Sequence, residues 1–236
     1  MWLKYSFLLP DDKSKTTILK FIIFSHLSSR NMHSEILNDR QRELLSLLAQ
    51  FRREYYLVGG TAIALYIGHR RSIDFDLFKP SAINHKRNLD KISATPYKHT
   101  ITRRVTEQMN LIVNDVKLTF FQYPFPIEPT ARFEAIFRLP SLLQLAAMKA
   151  YALGRRSKWK DYVDLYILLR NHFTITDIST EATRIFGELY SEKMFRSQLC
   201  YFDDIDYTEA VDWIIPNPPT DEEIRQTLIE VATQQL

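Results

Sequence analysis

Between residues 34 and 51, Ile36, Leu37, Leu44, Leu45, Leu47, Leu48 and Phe51 recur at roughly helical spacing after Ser34, a residue suited to capping a helix start. A helix is expected there. The run "EYYLVGG" then predicts a short buried strand ending at Gly59-Gly60, "TAIALYIG" a short helix ending at Gly68, and "SIDFDLF" an alternating strand. Successive side chains of a strand point to opposite faces, so Ile73, Phe75 and Leu77 are expected to face a core together while Asp74 and Asp76 share the other face. A helix is expected from Ala82 to Ile92, followed by strand-like stretches at "HTITRRV", "MNLIV" and "VKLTFFQY". Asn114-Asp115 between the last two reads as a tight hairpin turn, because both residues tolerate positive φ.

The second half changes character. "SLLQLAAMKAYALG" has Ser141 as its cap and Gly154 as its stop, the basic loop "RRSKWK" follows, and "WKDYVDLYILLRN" reads as a helix ending near Asn171. After the Pro-rich "IIPNPPTDEE", Thr220 and Glu223 have capping-box spacing and open a final helix to about Thr233. The organisation expected is α+β: an extension over 1–31, an α/β core over 32–127 and a mostly helical part over 128–236. Amphipathic order begins abruptly after Met32, which makes Met32 the expected biological start.

Composition narrows the classes. The 236 residues are 45% hydrophobic, enough for a substantial core. A formal charge of +3 permits a nucleic-acid partner without requiring one. Cys200 is the only cysteine, so no intrachain disulfide and no cysteine metal cluster forms within one chain, and a reducing cytoplasmic compartment fits. The longest apolar stretch, "ILKFIIFSHL", is interrupted by Lys20 and His26 and is far short of the roughly 18 residues of a membrane span. Asp11 and Asp12 break the pattern of a secretory leader, and neither a membrane location nor export is expected.

Candidate chemistry concentrates between Tyr55 and Phe78. Adjacent glycines let a backbone approach phosphate closely, and the free N–H groups at a helix start favour an anion, so Gly59 and Gly60 are candidate nucleotide-binding residues. Thr61 can add a hydroxyl, and Arg70 and Arg71 are placed where a guanidinium can pair with phosphate. Asp74 and Asp76 on one face repel each other unless a cation sits between them, and hard oxygen ligands suit Mg²⁺. Downstream, Lys160 and Asp164 are four apart on one helix face, where an ordinary ion pair contributes only about 0.2–0.5 kcal/mol. A functional alternative has Lys149 neutralising the β/γ-phosphates and Asp164 orienting that lysine or taking a proton. His69 reads equally well as a phosphate contact or a solvated loop residue, and Tyr151, Trp159, Tyr162 and Tyr166 as packing between helices.

"LVGGTAIALYIGHRRSIDFDLF" resembles the nucleotidyltransferase signature, and in detail that of the AbiEii/AbiGii-type nucleotidyltransferase toxins, in which a Ser, here Ser72, precedes the Asp pair. "AMKAYALGRRSKWKDYVDLYILL" resembles the later segment of the same toxins through Lys149, Lys160, Asp161 and Asp164, and the likeness extends from about Met32 to the end. The resemblance implies a polymerase-beta-like fold and transfer of a nucleotidyl group from an NTP, with one or two Mg²⁺ ions, to RNA. The acceptor it implies is the 3′ end of tRNA, with translation and growth arrested and an antitoxin encoded nearby. It places Asp74, Asp76, Lys149 and Asp164 in catalysis, with Ser72, Lys160 and Asp161 beside the nucleotide. One feature departs from the superfamily: the strand expected to carry a third carboxylate reads "VKLTFFQY" and has none. Asp115 or Glu107 substitutes, or Asp161 or Asp164 does, or the protein binds nucleotide or RNA without efficient transfer. A protein hydroxyl as acceptor is a further alternative, since fold does not set the acceptor.

Overall fold

The computed structural model describes residues 32–156 and 158–234; the expected extension 1–31, and with it the test of Met32 as a start, lies outside them. Residues 34–51 are not one helix. They form a 3₁₀ turn at Ser34–Ile36, α1 at Asp39–Glu43, α2 at Leu45–Leu48 and a second 3₁₀ turn at Ala49–Phe51. The cap is Asn38 rather than Ser34: its side chain accepts from the Gln41 N–H while the Gln41 side chain accepts from the Asn38 N–H, and this reciprocal box restarts the chain.

Next come β1 (Tyr56–Val58), α3 (Gly59–Ile67), β2 (Phe75–Lys79), α4 (His85–Ser93), β3 (His99–Val105), β4 (Gln108–Val113) and β5 (Val116–Gln122). The sheet order is β1-β2-β5-β4-β3, with β2 and β5 parallel and the other neighbours antiparallel. Asn114 and Asp115 have φ of 48° and 61°, as the hairpin reading required. One sheet face is apolar and buried through Phe75, Leu77, Met109, Leu111, Leu118 and Phe120. Ile73 does not join it. It is 56% exposed, because β2 begins only at Phe75 and the preceding residues are fastened elsewhere. Lys79 takes the third inward position instead, beside Glu54 and over the Tyr55 ring.

A hairpin absent from the sequence reading follows, β6 (Ala131–Phe133) and β7 (Phe137–Leu139), with Glu134 at φ 50° in its turn. Its Phe137 ring sits 5.5 Å from that of Phe75, which extends the core beneath the sheet. The helical part contains α5 (Leu142–Leu153), α6 (Trp159–Asn171), α7 (Ile175–Phe186), α8 (Glu192–Leu199) and α9 (Asp221–Thr233). Ser141 caps α5 and Thr220 with Glu223 boxes α9, as expected from the sequence. Tyr162 and Tyr166 are buried packing residues, and Tyr151 stacks on Phe186 at 4.0 Å. Residues 211–214 run antiparallel beside the loop after α3, where the Ile214 N–H donates to the His69 carbonyl and the Arg71 N–H to the Asp212 carbonyl. The buried side chains of both halves form one contiguous hydrophobic cluster.

Phe120 is fully buried, with ring centroids 4.9 Å from Phe51 and 5.2 Å from Tyr55. Phe120→Ala is expected to cost about 3–5 kcal/mol, read from the shift of the urea unfolding midpoint.

Candidate active site

β1 leads straight into α3, and both glycines lie inside its first turn. Gly59 has φ +75°, and a Cβ there would lie 2.3 Å from Asp76 Oδ2. A Cβ on Gly60 would lie 2.6 Å from Arg70 Nη2 and 3.0 Å from Ser72 Oγ. The doublet is thus required by two side chains packed against it. Val58, the N-cap, gives no side-chain cap to α3, so the helix start keeps donors for an anion beside Asp76.

Asp76 projects from the face of β2 that points away from the core, and Asp74, just ahead of the strand, lies close enough for its charge to act on Asp76. Asp76 lies in register with Thr119 of β5, and Lys117 Nζ stands 3.6 Å from Asp74 Oδ2. Burial and the neighbouring Asp74 push the Asp76 carboxyl above the ordinary carboxylate range, against the pull of Arg156, of a hydrogen bond from the Thr119 hydroxyl and of Lys117. Thr61 is buried and turned inward, its hydroxyl engaged by the Asp74 carbonyl and by Ser72, which corrects the expectation that it faces phosphate. The same contacts pin Ser72 and Asp74 to the helix start.

Arg70 is not a phosphate ligand either. It is 2% exposed, donating from Nε and Nη2 to the two oxygens of Asp164 at 2.7 and 2.8 Å and from Nη1 to the Arg71 carbonyl. His69, expected in a loop with solvent or phosphate, is buried with Nε2 2.8 Å from Asp164 Oδ1. Its Nδ1 is buried without a hydrogen-bond partner among the described residues. Arg71 remains half exposed and only loosely paired with Asp212 at 3.7 Å.

Asp164 does not pair with Lys160. Lys160 meets Glu209 at 3.2 Å, while Asp164 is closed in by Arg70, His69 and Lys149, the last at 2.9 Å. Complete burial alone would raise the Asp164 carboxyl, but Arg70, Lys149 and His69 outweigh it and hold it well below the ordinary range. Lys149 also reaches Asp161 at 2.7 Å, and Asp161 takes Arg156 on both oxygens at 2.7 and 3.0 Å. Burial would raise Asp161, yet Lys149 and Arg156 bring it down. Arg156 was not singled out in the sequence. Its side chain is 48% exposed, it pairs with Asp161, and its charge also acts on Asp76. The available signal was its position in the basic loop just before an acid in the first turn of α6.

None of the four acids offered as a third carboxylate is free on that face. Asp115 is exposed with Arg40, Glu107 is exposed in the turn between β3 and β4, and Asp161 and Asp164 are consumed by buried cations. Among the described residues no cluster of three or more His, Cys, Asp or Glu groups has metal-holding geometry. No helix among them is long and apolar enough to cross a membrane.

A mixed sheet bearing two adjacent carboxylates next to a Gly-Gly helix start, with a helical half packed against it, defines a nucleotidyltransferase fold. Solved structures agree: a putative nucleotidyltransferase from H. pylori matches at TM-score 0.54 and 17% identity, covering 82% of this chain and 92% of that one. JHP933 from Helicobacter pylori matches at 0.51 and 17% over 86% and 92%, and the nucleotidyltransferase toxin MenT4 from Mycobacterium tuberculosis at 0.56 and 16% over 82% and 80%. Residues 43–233 match the family model described as nucleotidyl transferase AbiEii toxin, type IV toxin–antitoxin system, and the chain belongs to that family. It is a nucleotidyltransferase of the toxin type. The uncharacterised protein aq_aa25 of Aquifex aeolicus is 30% identical over 145 residues, 58% of this chain and 68% of that protein.

Asp164 and Asp76 respond oppositely to change. Asp164→Ala leaves Arg70 buried without its counter-ion and Lys149 with Asp161 alone, and is expected to cost about 3–5 kcal/mol at neutral pH. That contribution is present above the unfolded carboxyl value of about 3.9 and is lost as pH falls through the depressed native one. Asp76→Asn is expected to raise Tm at pH 8, because an ionised Asp76 opposes folding above its raised native pKa, and the gain should vanish below about pH 4. Thermal unfolding of both variants against pH checks the pair of signs.

Proposed function

We propose that this nucleotidyltransferase moves a nucleotidyl group from an NTP to a hydroxyl on RNA, with the 3′ end of tRNA as acceptor and arrested translation as the toxic outcome. The observation that carries the reading is the closeness of Asp74 and Asp76 beside the uncapped start of α3. The acceptor oxygen attacks the α-phosphorus in line; the new P–O bond forms as the bond to pyrophosphate breaks, and the acceptor proton leaves to solvent or a carboxylate. Asp74 and Asp76 would hold Mg²⁺ together with phosphate oxygens, and the crowding that raises Asp76 fits a pair meant for a cation. When bound, the ion supplies charge stabilisation to the phosphates.

The chain's own residues do the rest. The α3 start receives phosphate, Arg156 and Lys117 supply fixed positive charge, and Arg71 is the exposed guanidinium left for the substrate. Lys149, which the resemblance places at the phosphates, acts at one remove here by fixing Asp161, which holds Arg156. Asp164, buried and held by three donors, orients Lys149 and is a poor proton acceptor. Lys160 stays at the edge with Glu209. The family's description implies an antitoxin partner, and a cytoplasmic setting suits the lone cysteine.

Incubation with each α-labelled NTP, Mg²⁺ and total RNA tests this. A labelled band of tRNA size is expected, falling at least about 100-fold in Asp74→Ala and Asp76→Ala, the scale of losing a charge-stabilising group. Label in protein would assign a protein acceptor. NTP binding with no label anywhere would assign a nucleotide-binding module, the reading that Lys117 and Thr119 in place of an acid favour.

A further inference from the structure

We infer that the site is built for one divalent cation rather than two, with the Lys117 ammonium as a fixed charge where a third carboxylate and second cation would sit. This rests on the transfer reading above and sets how its carboxylates are used.

The register carries the argument. β2 and β5 are parallel neighbours, with Phe75 opposite Leu118 and Asp76 opposite Thr119, so one step earlier Lys117 falls opposite Asp74. The 3.6 Å contact between Lys117 Nζ and Asp74 Oδ2 confirms that placement. An acid able to complete a second oxygen-ligated site beside these carboxylates would project from this face of β5, and the positions there are Lys117, Thr119 and, farther along, Phe121. On the same face of β4, Ile112 lies opposite Lys117 and Asn110 opposite Thr119, so the next strand supplies no acid either.

Charge points the same way. Before any metal arrives, Asp74 has Lys117 and Asp76 feels Arg156, whose charge is shared with Asp161. A single dication between the carboxylates, completed by phosphate oxygens, satisfies the preference of Mg²⁺ for several hard oxygen ligands. A second would have to share the same two carboxylates and the phosphates next to an ammonium, with no further carboxylate of β5 or β4 on this face to offset its charge. The Lys117 side chain is 46% exposed, so it stands at the open edge of the pair, and Thr119 is buried with its hydroxyl on Asp76.

The test is Mn²⁺ titration followed by EPR, with protein in excess over α,β-methylene analogues of each NTP, counting bound ions per bound nucleotide. One ion is expected for the wild type. Thr119→Asp and Lys117→Glu, each restoring an acid to this face, are expected to raise the count to two. Circular dichroism checks both folds, and Lys117→Glu changes an exposed side chain where Thr119→Asp changes a buried one. Two ions in the wild type would overturn the inference and leave the transfer reading standing. One ion in the wild type and still one in both folded variants would overturn the assignment to Lys117 and Thr119. Mn²⁺ bound no more tightly with protein than by the analogue alone would overturn the metal-assisted reading itself.

Discussion

A single buried carboxylate, Asp164, ties the two halves of this protein together. It is fully buried and ionised, a state that costs several kcal/mol unless its oxygens are filled by donors. The donors come from distant parts of the chain: His69 and Arg70 from the loop after α3, and Lys149 from α5. Replacing such a cluster with apolar residues often leaves stability unchanged, so its value here lies in position. Arg70, held by Asp164, lies against Gly60 at the start of α3; Ser72 and the Asp74 carbonyl are fastened to the same helix start by Thr61. The placement of Asp74 is therefore tied, through α3, to a helix in the other half.

Asp161, three residues earlier on α6, does the corresponding work for the second carboxylate. Lys149 bridges the two acids, and Asp161 holds Arg156, whose charge acts on Asp76. One helical turn thus controls both members of the β2 pair, one through the backbone that carries it and one through the field around it. The same logic explains the glycines. Phosphate approach accounts for small residues at a helix start, but Gly59 and Gly60 are each also demanded by a side chain already present, Asp76 and Arg70. An alanine at either position would disturb the carboxylate or its anchor before any nucleotide arrived.

What could be read from the sequence divides by the range of the interaction. The caps at Ser141 and Thr220, the turn at Asn114-Asp115 and the strand carrying Asp76 depend on partners a few residues away, and all were legible. The pairing of Arg70 with Asp164 spans 94 positions and that of Lys160 with Glu209 spans 49, so local spacing suggested solvent, phosphate or an i,i+4 pair instead. Ile73 obeys the alternation in sequence and is nevertheless exposed, because Thr61 fixes the backbone just ahead of β2. The β6–β7 hairpin is legible only from the core it covers, through Phe137 on Phe75. Arg156 was hidden in a loop whose composition suits a solvated connection as well as it suits a site.

The balance of charge explains why the arrangement persists. Within the network, the two carboxylates of Asp161 and Asp164 face the three cations Lys149, Arg70 and Arg156, one more than they need. Arg156 is the cation of the set that reaches solvent, and its charge acts on Asp76, which titrates above the ordinary carboxylate range. Each side relieves the other only in part. A polyphosphate laid on Arg156 and the α3 start, with a cation on the two carboxylates, would relieve both at once. The charges that crowd Asp76 are the ones such a ligand would meet, so α6, which holds Arg156 through Asp161, bears on the chemistry carried by β2.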